Sequence, residues 1–474
     1  MRKTGRLAIA ALLILLLLFV LPFFIPTKSY IPKLEQMVAE KLGVVMHIDA
    51  LHIAILPSPR LNLDKVMLGD HNEVFVEKIS VVPALTSLFS DTKVISKLNI
   101  KGPVVKKAAL DMLAGLIDKQ ATAPANLTVE VREIVVNDAE LIWGDEASKA
   151  DQDANKHDDV KMPLLNAKIS LAAGNRPEAA EIETVDGKLK ISLGPDTKLA
   201  NDKQAGVKLD RLRLVTVRAD KWVVPVGYPF LIDALAMEMT LYDNKLDVTN
   251  IDAALYHGKV TGTAMVNWAN AWSLQGKLKV ADLSVREPVS LVRKSTQLSG
   301  RMFGNGSFNA TAKEPAKLLD HLRASFRFNI QDGVLYGFDL ARAASLLLRQ
   351  GQKGGETQFD KLAGLLSVSG KQYQVSELDV SSGLIAADGA VKMNAKKELD
   401  GVVNVELKNS VSLTAIPMQV SGTLDHPVVF PTKTALAGAA AGTALLGPGV
   451  GTSIGVKAGS AVDKIKGFFS GDKQ

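Results

Sequence analysis

The sequence predicts a mostly β protein, an elongated twisted antiparallel sheet or groove of repeated meanders, with a few short capping helices and one N-terminal transmembrane helix. Apolar and polar residues alternate with a period of two through much of the 474-residue chain, which is typical of strands with one apolar face. The same strand pattern occurs twice. Helical periodicity is confined to short segments, so the sheet dominates the predicted fold.

The N-terminal segment predicts a membrane anchor. Arg2, Lys3 and Arg6 precede an uncharged run at residues 7–25, which as a helix would be roughly 28 Å long and could cross a bilayer. Basic residues on the short side favour a cytoplasmic N-terminus. A cleaved signal peptide is the alternative, although its apolar core is usually shorter. We therefore expect the bulk of the chain on the far side of that membrane.

Few segments have helical spacing. Leu34, Met37, Val38 and Leu42 predict a short amphipathic helix beside the membrane, ending at Gly43. Three further short helices are predicted from similar spacing. They cover residues 315–322, 340–348 and 359–366.

Strands with one apolar face are predicted along the rest of the chain. In each of five segments every second residue is apolar and the residues between are mostly polar, so the apolar ones share a face of the sheet. These residues are the predicted lining of that face: Leu127, Val129 and Val131; Leu189, Ile191 and Leu193; Leu235, Met237, Met239 and Leu241; Phe326, Phe328 and Ile330; Val403, Val405 and Leu407.

An internal repeat links two parts of the sheet. Residues 245–267 align without a gap with residues 372–394, and Gly262 matches Gly389. The repeated unit predicts strand, turn, strand, glycine turn and strand, so the same meander is expected twice. A sheet extended in this way has a long apolar face that something must cover.

Composition divides the chain into regions. Residues 434–456 carry no charge and are rich in glycine and alanine, which fits either a flexible tail or a helical hairpin that packs on the sheet end or touches a membrane. The predicted regions are a cytoplasmic tail (1–6), the anchor (7–25), an N-terminal region of a membrane-proximal helix plus strands (26–120), a central meander (121–300), a C-terminal β domain with short helices (301–433) and the apolar tail (434–474).

Catalytic and metal-binding patterns are missing from the sequence. There is no cysteine, and the seven histidines form no H-x-x-x-H pair, so cysteine catalysis and a zinc hydrolase site are not expected. The counts of 56 Lys+Arg and 50 Asp+Glu give a net charge of +6 without a basic stripe, which argues against nucleic acid as a partner. We predict a non-enzyme with no cofactor and no metal.

The C-terminal third resembles the AsmA family. Asp332, Gly333, Gly337, Asp339 and Leu340 match its strand-to-helix turn. A T-x-F segment and a closing I-P, G-T and P pattern follow, at Thr357, Phe359, Ile416, Pro417, Gly422, Thr423 and Pro427. The N-terminal anchor, helix and first strands are also similar to the family.

The resemblance implies a protein of the bacterial inner membrane, single-pass, with its body in the periplasm and a role in outer-membrane biogenesis. Larger members of the family are thought to conduct phospholipid along β-grooves. The first hypothesis is therefore a groove that binds or passes phospholipid, lined by the residues given above. The alternative is a periplasmic scaffold or assembly factor that affects outer-membrane protein targeting without conducting lipid, its sheet edge binding a protein partner by strand addition.

Overall fold

The computed structural model describes residues 27–55, 58–70, 72–106, 109, 129–142, 162–195, 213–225, 229–292, 298–336, 355–383, 385–408, 415–424, 426–446 and 456. These residues contain 22 strands and three α-helices, which confirms the mostly β class. They form two compact units, Met1–Gly227 and Tyr228–Gln474. Each unit is described by itself.

The described residues of the first unit form ten strands, one α-helix and three short 3₁₀ helices. The helix α1 spans Ile31–Leu42, and the 3₁₀ helices span Thr27–Tyr30, Leu85–Phe89 and Ala173–Asn175. The strands are β1 (Met46–Ala54), β2 (Arg60–Leu68), β3 (Val74–Pro83), β4 (Lys93–Lys106), β5 (Val129–Val131), β6 (Glu133–Ile142), β7 (Leu165–Ala172), β8 (Arg176–Thr184), β9 (Leu189–Pro195) and β10 (Arg213–Val223).

Strand β4 departs from the predicted antiparallel pattern. It pairs in parallel with β5 and with β6, whereas the other pairs of this unit are antiparallel. A parallel pair needs a connection of a dozen or more residues, and residues 107–128 provide that length. The prediction of a wholly antiparallel sheet is therefore wrong at β4.

In the second unit the described residues form an antiparallel meander of twelve strands, each paired with the next along the chain. Helix α2 (Arg286–Val292) follows the fourth strand, and α3 (Lys433–Leu446) follows the last. The strands are β11 (Leu231–Leu241), β12 (Lys245–Leu255), β13 (Gly258–Asn267), β14 (Trp272–Ser284), β15 (Leu298–Ala312), β16 (Arg323–Tyr336), β17 (Glu356–Ser369), β18 (Gln372–Ser381), β19 (Ile385–Met393), β20 (Leu399–Leu407), β21 (Ile416–Gly422) and β22 (Pro427–Pro431).

Helix α1 confirms the short amphipathic helix predicted before Gly43 and covers the start of the first sheet. It ends at Gly43, whose φ of 69° is left-handed and whose N–H donates to the Ala39 carbonyl at 3.0 Å; glycine adopts this conformation without steric cost. Ile31 and Leu34 pack on the cluster that includes Val66, which is fully buried. The apolar face of α1 therefore closes the sheet at β1 to β3.

Two other helix predictions need correction. Residues 359–366 lie inside strand β17, which is paired on both sides, because their apolar spacing fits a strand face as well as a helix and the neighbouring strands decide. Residues 315–322 contain two short 3₁₀ helices, Pro315–Lys317 and Leu319–His321, instead of one helix. The helix predicted at 340–348 lies outside the described residues.

The internal repeat is a pair of equivalent hairpins, β12–β13 and β18–β19. Both have a bulge at the same aligned position, after Val248 in the first and after Val375 in the second. Gly262 and Gly389 lie within β13 and β19 instead of in a turn, and a side chain at either would meet the backbone of the next strand. The predicted glycine turn is therefore wrong, while the predicted repetition is confirmed.

Glu133 joins three strands of the first unit by ion pairs. It lies 3.0 Å from Lys97 Nζ on β4 and 3.5 Å from Lys168 Nζ on β7. The hydrogen bond from Lys97, with help from Lys168, holds the pKa of the Glu133 carboxyl below its ordinary value of 4.5. The ionised Glu133 carboxylate thus stabilises the fold at pH values above its ordinary pKa. This stabilisation is lost as the pH falls through the lowered pKa of the folded protein.

We therefore expect the Glu133→Gln variant to have a flatter dependence of stability on pH than the wild type between about pH 5 and pH 3. Urea unfolding midpoints across this range measure the difference. Parallel curves for the two proteins would contradict the assignment.

Candidate functional site

A row of apolar residues crosses every paired strand of the first unit except the three-residue β5. Side chains on directly paired residues project from the same face of a sheet, so the pairing registers trace this row without a break. We call it the first-unit row. It consists of Leu51, Leu63, Ile79, Ile100, Val136, Ala167, Ile182, Ile191 and Val217.

An equivalent row crosses all twelve strands of the second unit, and each member is apolar or glycine. We call it the second-unit row. From β11 to β22 it consists of Met237, Ile251, Gly262, Leu278, Gly306, Phe326, Leu366, Val375, Val391, Gly401, Val420 and Val429. At about 4.8 Å between strands the row is roughly 50 Å long along the sheet.

The two rows differ in how well they are covered. In the first unit Leu51 and Leu63 are buried under α1, but Val136, Ile191 and Val217 are only half-buried. In the second unit Val403, Val405 and Met418 belong to a buried cluster with Ala439 of α3. Helix α3 therefore covers the last strands, and residues 434–446 of the predicted tail are helical. The buried cluster of the second unit also includes Val280, Ile330 and Ala387 on the same face, whereas row members such as Met237, Leu278 and Leu366 are only half-buried.

The predicted lining residues fall on these faces with few exceptions. The three on β9 face Val215, Val217 and Ala219 of β10, and the four on β11 face apolar residues of β12. Phe326, Phe328 and Ile330 face Leu366, Gly364 and Leu362. Val403, Val405 and Leu407 face Gly389, Ala387 and Ile385.

The exceptions are at β5 and in the core. Val129 is 40% exposed on the short strand β5, where Val131 is half-buried, and Leu127 lies outside the described residues. Met239, Ile330, Val403 and Val405 are buried. These four contribute to the packed interior, so the half-buried members are the ones that offer an accessible apolar surface.

Phenylalanine rings lie against glycines in the middle of the second sheet. A Cβ added at Gly304 would lie 2.7 Å from the Phe326 ring, and one at Gly364 would lie 3.1 Å from the Phe328 ring. A Cβ added at Gly276 would likewise overlap the Phe308 ring. Aromatic rings laid over glycines of a neighbouring strand fill the space that missing side chains leave, so this part of the face is continuous and apolar.

The opposite face of both sheets is mostly polar and carries ion pairs, apart from the exposed Val402, Val428 and Phe430 on the last strands. Arg327 donates to Glu377 at 2.7 Å, and Lys361 lies 2.6 Å from Asp379. In the first unit Lys101 lies 3.1 Å from Glu77. These side chains are exposed and suit contact with water, which leaves the apolar face as the surface that needs a ligand or a cover.

Most members of the two rows were not predicted from the sequence. Residues on β3, β6, β7 and β10 also alternate, as Val215, Val217 and Ala219 do, so a signal was present. Gly262, Gly306 and Gly401 carry no hydrophobic signal, and only the register places them in the row. The alternation of residues along a strand does not predict which residues of neighbouring strands pair.

A family comparison accounts for most of the chain. The model of the AsmA family matches residues 1–210 and 89–371, which together reach from the N-terminus through more than three quarters of the sequence. The chain belongs to the AsmA family. Residues 372–432, which contain part of the motif resemblance, lie outside the matched ranges. No curated protein and no solved structure matches this sequence.

Membership of the AsmA family supports a general role in the cell envelope. The anchor predicted at residues 7–25 lies outside the described residues. Of the helices that the structure describes, none has both the length and the apolar character to cross a bilayer.

Proposed function

We propose that this AsmA-family chain is an envelope protein of the bacterial inner membrane, anchored through residues 7–25, whose periplasmic β-groove binds or passes phospholipid in support of outer-membrane assembly. The observation that carries the proposal is the unbroken apolar row in each unit. A row interrupted by charge would stop an acyl chain, because an unpaired charge in an apolar environment costs several kcal/mol.

The chemistry of binding is passive shielding, with no catalysis and no cofactor. Each methylene removed from water contributes about 0.8 kcal/mol, so a half-buried apolar face can hold an acyl chain without hydrogen bonds. A single lipid leaflet has an apolar layer about 15 Å thick, half of a bilayer core. The second-unit row is roughly three times that length by strand spacing, and it offers room for more than one lipid.

Strand addition by a protein partner is disfavoured at two strands. On β1, the N–H of Ile48 donates to Glu35 Oε1 at 2.8 Å, so this donor already has an acceptor. Strand β22 is five residues long and begins and ends with proline, Pro427 and Pro431, and proline cannot donate to a neighbouring strand. Both features are typical of edges protected against pairing, which favours lipid over the scaffold alternative.

The test is lipid mass spectrometry on the full chain, extracted from the envelope in a mild detergent that replaces the surrounding bilayer lipid and then separated from free lipid. We expect phospholipid to remain bound at more than one molecule per chain. A lipid-free chain that retains a protein would instead support the scaffold.

A further inference from the structure

A pair of tryptophans stands at one end of the apolar face of the second unit. Trp268 follows β13 and Trp272 begins β14, and their rings stack with centroids 5.6 Å apart. Trp272 lies two residues before Leu274, which pairs with Val266 on the apolar face. Since alternate residues of a strand share a face, Trp272 ends the apolar face where the strand reaches the loop.

The loops around the pair are held in place by backbone hydrogen bonds. The N–H of Trp268 donates to the Asn244 carbonyl at 2.9 Å, and the N–H of Tyr242 donates to the Lys245 carbonyl at 2.8 Å. Lys245 Nζ lies 4.1 Å from the centre of the Tyr242 ring and 2.9 Å from Asp247. The end of β11 to β14 is therefore a fixed edge, apolar on one side and polar on the other.

Both tryptophans keep a polar atom available. Their side chains are half-buried, and within the described residues neither indole N–H donates to a protein acceptor. Ala312, which is paired with Trp272, is only 7% exposed, and the stacked indole rings of Trp268 and Trp272 shield each other from water on one side. An indole with a packed ring and a free N–H is the arrangement that tryptophan adopts at the boundary between lipid and water.

We infer that Trp268 and Trp272 bind the ester region of a phospholipid, where its acyl chains enter the apolar face and its headgroup remains outside. The inference rests on the proposed function and adds the position on the apolar face at which the ester region of the lipid binds. The chains follow the adjoining apolar residues, Val266 and Leu274, and the indole N–H groups donate to ester or phosphate oxygens. Lys245 is already neutralised by Asp247, so the site recognises the ester region instead of a net headgroup charge.

The test is quenching of tryptophan fluorescence in the full chain loaded with phosphatidylcholine that carries bromine atoms either near the glycerol ester or near the methyl end of the acyl chains. Bound lipid is counted by mass spectrometry in the same samples. We expect stronger quenching by bromine near the ester, and loss of most of that difference in the W268F/W272F double variant. Phenylalanine keeps the ring contact and removes the N–H donor, so the variant keeps its fold and its fluorescence comes from the two remaining tryptophans.

The outcomes separate this inference from the proposed function. Bound lipid with stronger quenching from the methyl end, or with no quenching that depends on Trp268 and Trp272, would overturn the site while leaving the lipid-binding face intact. A chain that holds no lipid, either as extracted from the envelope or after loading with brominated lipid, would overturn both this site and the proposed function. Circular dichroism of the double variant verifies that its strands are retained.

Discussion

Met237→Lys should strongly weaken phospholipid binding by the second unit. Met237 is half-buried in the second-unit row and faces Ile251. It lies four residues from Leu241 at the end of β11, about 14 Å along the strand, so a lysine cannot extend its ammonium group to water past the strand end. A lysine at the centre of a lipid layer costs about 2.5–3.5 kcal/mol, which corresponds to roughly 100-fold weaker binding.

The matched control is Ala236→Lys on the same strand. Ala236 is exposed on the opposite face and pairs with Asp252, so the same added charge meets a carboxylate and water. Lipid mass spectrometry and the thermal midpoint are measured for both variants. Equal lipid content in the two variants would exclude the apolar face of β11 as a lipid surface.

The same design applies to the first unit. Ile191→Lys places a charge in the first-unit row, and Ser192→Lys places it on the other face of β9, where residue 192 pairs with Glu181. Each row variant should reduce the number of bound lipids, and the two together should reduce it further, because each charge interrupts a separate row. If Met237→Lys lowers the lipid content and Ile191→Lys does not, the first unit has a different role.

The alternation of residues was sufficient to predict the strands and the face of many side chains. Leu235, Met237 and Met239, for example, share a face because of their spacing alone. The pairing between strands could not be predicted in this way. Gly306 faces Phe326 because of the strand register, and the register follows from bulges and turns that the alternation does not reveal. The parallel pairing of β4 with β6 depends on a long connection in the same way.

The incorrect helix at 359–366 has a related cause. Phe359, Leu362, Ala363 and Leu366 have helical spacing, yet the segment also contains the strand pairs Phe359 with Gly333 and Leu366 with Phe326. Local periodicity supports both structures, and pairing on both sides selects the strand. The tryptophan site was not predicted because Trp268 and Trp272 are brought to the edge of the face by the β13–β14 hairpin, and no motif identifies them.

Gly306→Val should destabilise the second unit more than any other single change proposed for this chain. A Cβ at residue 306 would overlap the Ser325 carbonyl and lie 2.8 Å from the Phe326 Cα. These are backbone atoms of a strand that is paired on both sides, so they cannot move away as a flexible side chain would. Overpacking of this kind costs about 3 kcal/mol, which corresponds to a fall of roughly 6–12 °C in Tm for a unit of this size.

The control is Gly194→Val on β9, where no atom lies within 4 Å of the added Cβ. Valine favours strands, so this variant should have an unchanged or slightly higher Tm in differential scanning calorimetry. A small effect at Gly306 would mean that β15 and β16 can separate at little cost. A large effect would show that the close approach of the β16 backbone to this glycine is a condition of folding, because neither the Ser325 carbonyl nor the Phe326 Cα can move away from an added side chain.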